Sequence, residues 1–285
     1  MAIRVARTHG PLGAEIEGVE VARPLEAETL AAIGKAWLEH LVLVFRGQSL
    51  DDAGLVAFSR RFGRLEKAPV AEKAVGVVHV PRLPEVTVVS NVVEGGLPLG
   101  SLGDGELSWH SDMTYLATPP PASILYGIEV PPDGADTWFN NMYLAYEKLP
   151  AALKERIKGL RSNHTSSYTS AGTLRQGYEN VTDVTRAPGT MHPLVIEHPG
   201  THRKALYLGR RQHGYIEGLS LAESEALLDE LWAHATRDEF AFAHKWRQGD
   251  VVMWDNRCVM HRRDAFDPSV RRILHRTQLL SLEIH

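Results

Sequence analysis

Leu41-Val42-Leu43-Val44-Phe45 is an unbroken apolar run containing β-branched residues, and it reads as a buried strand. Leu30, Ile33, Trp37 and Leu38 precede it at spacings that put them on one face of a helix. Leu55, Phe58 and Phe62 follow it at spacings of 3 and 4, which predicts a second helix near residues 49–61, ended by Gly63. Further strands are expected at 86–89, 124–130, 194–197, 205–208, 251–254 and 273–282. Pro131-Pro132-Asp133-Gly134 stops one of them. A stretch over 143–160 reads as helical with a break at Pro150. Ser220-Leu221-Ala222-Glu223 has the form of a capping box, with Leu227, Leu228, Leu231 and Trp232 on the apolar face of the helix it opens.

Strands near both ends and in the middle, with few helices between them, predict a mainly β chain with surrounding helices. The expected core is a double-stranded β-helix, a cupin-like jelly roll, in a single domain over 1–285. A βαβ nucleotide fold is disfavoured because no G-x-G-x-x-G follows a strand. Two segments stand out as loops. Residues 94–108 hold five glycines and one proline. Residues 161–191 are polar and lack core periodicity, which fits either a lid or binding loop or disorder.

Composition narrows the class. The chain has 285 residues, 44% hydrophobic and 23% charged, in the range of a folded globular protein that needs no disulfide staples. A net charge of -4 gives no support to nucleic-acid binding. No run approaches the roughly 18 apolar residues of a membrane span, and the first residues do not resemble a signal peptide. The single cysteine, Cys258, cannot close an internal disulfide and fits a reducing, cytoplasmic setting, where it reads as a buried structural thiol. Trp37, Trp232 and Trp246 read as core or cap residues.

The sharpest chemical feature is Trp109-His110-Ser111-Asp112. In an extended segment His110 and Asp112 point to one side and can meet one cation. Imidazole plus carboxylate suits Fe(II), and one remote histidine completes a facial triad with open positions. His261, expected just beyond a strand, is the candidate. An H-x-D triplet alone also fits a surface turn with a solvated aspartate. At the C-terminus Arg271-Arg272-Ile273-Leu274-His275-Arg276 places Arg272 and Arg276 on one strand face with Leu274. Arginines turned toward an apolar side need a counter-charge there; a basic solvated edge is the alternative.

Together WHSDMTY at 109–115, DTWFNN at 136–141, WDNRCVMHRR at 254–263 and RRILHRT at 271–277 resemble the TauD/TfdA family of 2-oxoglutarate-dependent dioxygenases. The likeness runs from LGAEIEG, beginning at Leu12, to the C-terminus. It implies that His110, Asp112 and His261 bind Fe(II), and that Thr137 and Arg272 hold the distal carboxylate of 2-oxoglutarate. It further implies that Arg276 faces an anionic substrate and that Met113 lines the substrate pocket. O2 is then the second cosubstrate, succinate and CO2 are products, and a dimer or tetramer is expected. The intact Asp112 argues for hydroxylation, because related halogenases carry a small residue there. The sequence departs from the taurine enzyme after Arg60-Arg61-Phe62-Gly63, where Arg64-Leu65-Glu66-Lys67-Ala68-Pro69 has no histidine. That departure counts against taurine as substrate. His79 is a candidate to supply a polar group from a shifted position; a surface histidine is the alternative. The same iron chemistry also serves desaturation, epimerisation or cyclisation, and a cupin-like binding protein without catalysis is the remaining alternative.

Overall fold

The computed structural model describes residues 3–67 and 83–283; His79 lies outside them. The expected β architecture is present as two facing sheets. The larger has eight strands in the order Arg4–Arg7, Ala14–Glu17, Val42–Phe45, Val251–Asp255, Ala122–Glu129, Ile273–Leu279, Thr87–Ser90, Ser101–Leu102. The smaller is antiparallel, in the order Ala241–His244, Thr137–Asn141, Val259–Arg263, Leu107–His110. The central neighbours in both sheets come from distant parts of the chain, as a jelly roll requires.

Strand alternation explains why the large sheet sits in the middle. Val42, Val44, Leu125, Val252, Trp254 and Leu274 point inward, where they join Phe139 of the small sheet in one core. Their neighbours Leu43, Phe45, Ile124, Val251 and Met253 point outward. There they are covered by Ile33 and Trp37 of the helix Ala27–His40 and by Leu55 and Phe58 of the helix Asp52–Ser59. A strand buried on both faces has no polar side to show, hence its unbroken apolar run. A one-residue slip would exchange the two faces, so burial fixes the register.

Several boundaries differ from the sequence expectation for physical reasons. Leu41 is not in the strand: it sits at φ 66° and ends the helix, its N–H donating to the Trp37 carbonyl. The helix expected to stop at Gly63 stops at Ser59. Gly63 serves a close approach instead; at φ +149° a Cβ there would lie 1.9 Å from the Ser281 carbonyl oxygen. The C-terminal strand ends at Leu279, not at 282.

The ends of the segment 161–191 depart from the expected loop. Its ends are the strands Arg161–Thr165 and Gly189–Pro193, which pair with each other, and Tyr215–Ile216 adds a third. Ser162, Asn163, His164, Thr165 and Ser167 are all buried. A strand whose buried side chains are polar leaves no apolar alternation to read. Residues 94–108 likewise contain short strands: Val93–Glu94 and Leu97–Pro98 form a hairpin turned at Gly95 and Gly96, both at positive φ.

Candidate metal centre and active site

The turn at Asn256-Arg257 carries the chain from the large sheet to the small one, from Val251–Asp255 into Val259–Arg263. His261 is therefore inside a strand and not beyond one. It stands directly opposite His110 of Leu107–His110 in the antiparallel ladder, with ring centroids 4.2 Å apart. Directly opposed residues share a face. Asp112 reaches the same point by another route: the strand ends at His110, and the chain turns through Met113, at φ 50°. The extended H-x-D geometry is thus not what brings the pair together, yet His110 Nε2 lies 3.8 Å and His261 Nε2 3.9 Å from Asp112 Oδ1. All three residues are buried.

The donor set suits a divalent cation. The His110 Nδ1–H donates to the Ser108 carbonyl at 2.7 Å, which leaves the Nε2 lone pair toward Asp112. Burial holds His110 well below its usual range and His261 at about 4, so both imidazoles are neutral ligands at neutral pH. Burial also pushes Asp112 upward, but the charge of Arg276 is the foremost influence against it, the Ser123 hydrogen bond adds to that, and the carboxyl lies well below its usual range. Asp112 Oδ2 is occupied: Ser123 Oγ–H donates to it at 2.7 Å and the Gln278 amide at 3.2 Å. Ser123 is itself positioned by the Asn256 amide at 3.0 Å, and Trp254 Nε1–H donates to Asn256 Oδ1. Trp254 and Asn256 thus act through Ser123 to leave Oδ1 facing the two imidazoles.

Ser123 and Gln278 were not legible as site residues. They belong to distant strands and meet only through the register Gln278↔Ser123. Orienting partners of metal ligands typically matter by about 10- to 100-fold in metal affinity. Ser123→Ala is accordingly expected to weaken iron binding within that range, measured by competition with a chelator; unchanged affinity would exclude the role.

The C-terminal strand Ile273–Leu279 turns Leu274, Arg276 and Gln278 inward, and Arg272, just ahead of it, is buried in keeping with that alternation. Arg276 donates to Asp112 Oδ1 at 3.3 Å. On the other face Arg271 pairs with Glu129 and Glu94, and His275 bonds Asp52 of the covering helix. Arg272 is only 2% exposed; its backbone N–H donates to Asn91, and its Nε is buried with no partner. Burial, and secondarily Arg263, push its guanidinium down to about 9. Thr137 is buried opposite Arg263 in the small sheet. Trp246 Nε1–H donates to Thr137 Oγ1 at 2.9 Å, leaving the threonine hydroxyl proton available to a ligand oxygen. Trp246 is thus buried as expected but also orients a site residue. Met113 is partly buried beside Asp112.

Glu66 is a further residue that the reading of the sequence passed over. The backbone N–H of Glu66 donates to the Gln278 carbonyl, and its carboxylate feels the charge of Arg276. A carboxylate therefore accompanies Arg276 from the segment that lacks the histidines of the taurine enzyme.

A second group, His198, Asp255 and Cys258, also clusters tightly. Its valences are spent: His198 Nδ1 accepts from the Gly200 and Thr201 N–H groups, and Arg257 and His198 donate to the Asp255 oxygens. Burial pushes the Cys258 thiol up, away from the thiolate a metal would need. This cluster is structural, in keeping with a buried Cys258.

No helix among the described residues is long and apolar enough to cross a membrane. The family model described as "Taurine catabolism dioxygenase TauD, TfdA family" matches residues 4–278. An alpha-ketoglutarate-dependent 2,4-dichlorophenoxyacetate dioxygenase from Cupriavidus pinatubonensis is 35% identical over 286 residues, covering 95% of this chain and 96% of that protein. An alpha-ketoglutarate-dependent sulfate ester dioxygenase from Pseudomonas putida is 35% identical, covering 88% and 81%. The crystal structure of a taurine dioxygenase from Burkholderia xenovorans superposes with a TM-score of 0.78 at 36% identity, covering 98% and 91%. The chain belongs to the TauD/TfdA family and is an iron- and 2-oxoglutarate-dependent dioxygenase.

Proposed function

We propose that this enzyme hydroxylates a small anionic organic molecule, with His110, Asp112 and His261 as the Fe(II) ligands. Arg272 and Thr137 hold the distal carboxylate of 2-oxoglutarate, and Arg276 turns its guanidinium to the substrate; Met113 lines the pocket. Iron bound there supplies the activation of O2 that couples decarboxylation of 2-oxoglutarate, to succinate and CO2, with oxidation of a C–H bond. The chain's own residues position the reactants and keep the oxidising centre shielded by the two sheets.

The observation that carries the substrate class is Arg276. It is the inward-facing cation of the C-terminal strand nearest the triad, 3.3 Å from Asp112. An arginine in that place selects a carboxylate, sulfonate, sulfate or phosphonate by a planar two-pronged contact. The relatives named above, dioxygenases of an aryloxyacetate, of sulfate esters and of taurine, all act on molecules with such groups. The family resemblance also supports a dimeric or tetrameric, cytoplasmic enzyme.

The test is succinate formation in the presence of Fe(II), ascorbate, 2-oxoglutarate and O2, over a panel of sulfonates, sulfate esters, aryloxyalkanoates, amino acids and phosphonates. One anionic class is expected to stimulate turnover. Arg276→Ala is expected to lower kcat/KM for it by roughly 30-fold or more, the effect of removing a buried charge partner. Stimulation only by uncharged compounds, or an unchanged kcat/KM in the variant, would overturn the anionic assignment.

A further inference from the structure

Arg276 is not the sole cation at the triad. Arg210 lies on the opposite side, in the segment that follows the strand Lys204–Leu206. Its backbone bridges to His110 at the edge of the small sheet, and the Ser111 N–H donates to the Gly209 carbonyl. The charge of Arg210 acts on His110, on His261 and on Asp112. The backbone contact places Arg210 beside His110, whereas Arg276 reaches Asp112 from the large sheet at 3.3 Å.

Arg210 is 6% exposed, and the only hydrogen bond its guanidinium makes among the described residues is from Nη1 to the Tyr168 carbonyl at 3.2 Å. Its Nε is buried with no partner. No carboxylate forms an ion pair with it among the described residues. A second arginine, Arg175, donates through Nε to the same Tyr168 carbonyl at 3.3 Å, close enough to repel it. Arg175 lies over the Tyr115 ring at 4.3 Å and donates to the Tyr115 hydroxyl at 2.9 Å. It too has no carboxylate partner among the described residues. Two neighbouring guanidiniums, one of them buried, raise the energy of the empty site unless an anion joins them. Arg276 is differently placed, because Asp112 and Glu66 already share its charge.

We infer that Arg210, backed by Arg175, forms a second anion-binding point on the His110 side of the centre, and that a carboxylate, sulfonate or sulfate group of the substrate docks there. The inference rests on the anionic-substrate reading and divides recognition between Arg276 and Arg210. It makes Arg210 a specificity-determining residue that touches substrate. Tyr115, on the turn after Asp112, holds Arg175 on this side of the site.

The experiment is calorimetric titration of protein loaded with Mn(II) and N-oxalylglycine, an inert analogue of 2-oxoglutarate that fills the Arg272 site. The probes are 2,4-dichlorophenoxyacetate, hexyl sulfate and taurine. For whichever probe binds, Arg210→Gln is expected to raise Kd by roughly 30-fold or more, and Arg210→Lys, which keeps the charge, by much less. A purely structural role would damage both variants alike. Should Arg210→Gln fail to fold, selenate soaked into crystals of the loaded wild-type protein is expected to give anomalous density against Arg210. Equal affinity in Arg210→Gln, equal loss in both variants, or selenate density only elsewhere overturns the inference. Binding of a probe with that result leaves the anionic-substrate reading intact. Failure of the wild-type protein to bind any probe, or selenate at the site, overturns both.

Discussion

Asp112→Ala and Asp112→Asn are expected to lose iron binding together with turnover. Asp112 supplies the only negative charge among the three ligands; His110 and His261 are neutral. Without it, a divalent cation would face two imidazoles in the field of Arg210 and Arg276. The apo protein suffers as well, because Arg276, Ser123 and Gln278 all donate to this carboxylate. Breaking a buried ion pair from one side costs on the order of 3–5 kcal/mol. Metal affinity should fall by a similar factor, on the order of 100- to 4000-fold. Metal analysis after desalting is expected to show iron near one per chain in the wild type and almost none in either variant. Asp112→Asn separates the two effects, since its amide keeps the shape and a hydrogen-bonding oxygen. Near-stoichiometric iron in a folded Asp112→Asn protein would remove Asp112 from the ligand set.

The parts of this architecture that were legible in the sequence are those where one segment carries its own signal. The run at 42–45 has no polar side because it is covered on both faces. Ser220 and Glu223 make their capping box within one turn of helix. The alternation of Arg272, Leu274 and Arg276 survives because a strand holds period 2 whatever lies across from it. The pairing of His110 with His261 was of another kind. Sequence could nominate a remote histidine among 14 but not place it; the ladder between Leu107–His110 and Val259–Arg263 does that.

What was not legible depends on contacts between distant segments or on buried polar groups. Ser123 and Gln278 are ordinary polar residues until the register of their strands sets them over Asp112. Arg210 sits in a local sequence, Gly209-Arg210-Arg211, that looks like a solvated basic turn. Arg211 does pair on the surface with Glu225 and Asp229, while its neighbour is buried beside the metal ligands. No local pattern distinguishes the two arginines. The buried polar strand at Arg161–Thr165 escaped for the related reason that burial there is not written in apolar residues.

Arg272→Ala is expected to raise the Kd of 2-oxoglutarate while leaving iron uptake intact. The separation follows from position. Arg210 and Arg276 are among the leading charges that act on the triad, and Arg272 is not. Its own surroundings are incomplete: it is buried, its Nε has no partner, and no carboxylate pairs with it among the described residues. The neighbouring Arg263 adds repulsion that an incoming carboxylate would relieve. Removing the guanidinium costs that carboxylate a buried, hydrogen-bonded partner, worth roughly 2–5 kcal/mol. The corresponding rise in Kd is on the order of 30- to 4000-fold. Arg272→Lys should fall between, because an ammonium keeps the charge but not the planar fork. Titration of 2-oxoglutarate into Mn(II)-loaded wild-type and variant protein reads the effect without turnover. Equal affinities would take Arg272 out of the cosubstrate site, and a parallel loss of metal would mean that the arginine supports the centre as a whole instead of one ligand's carboxylate.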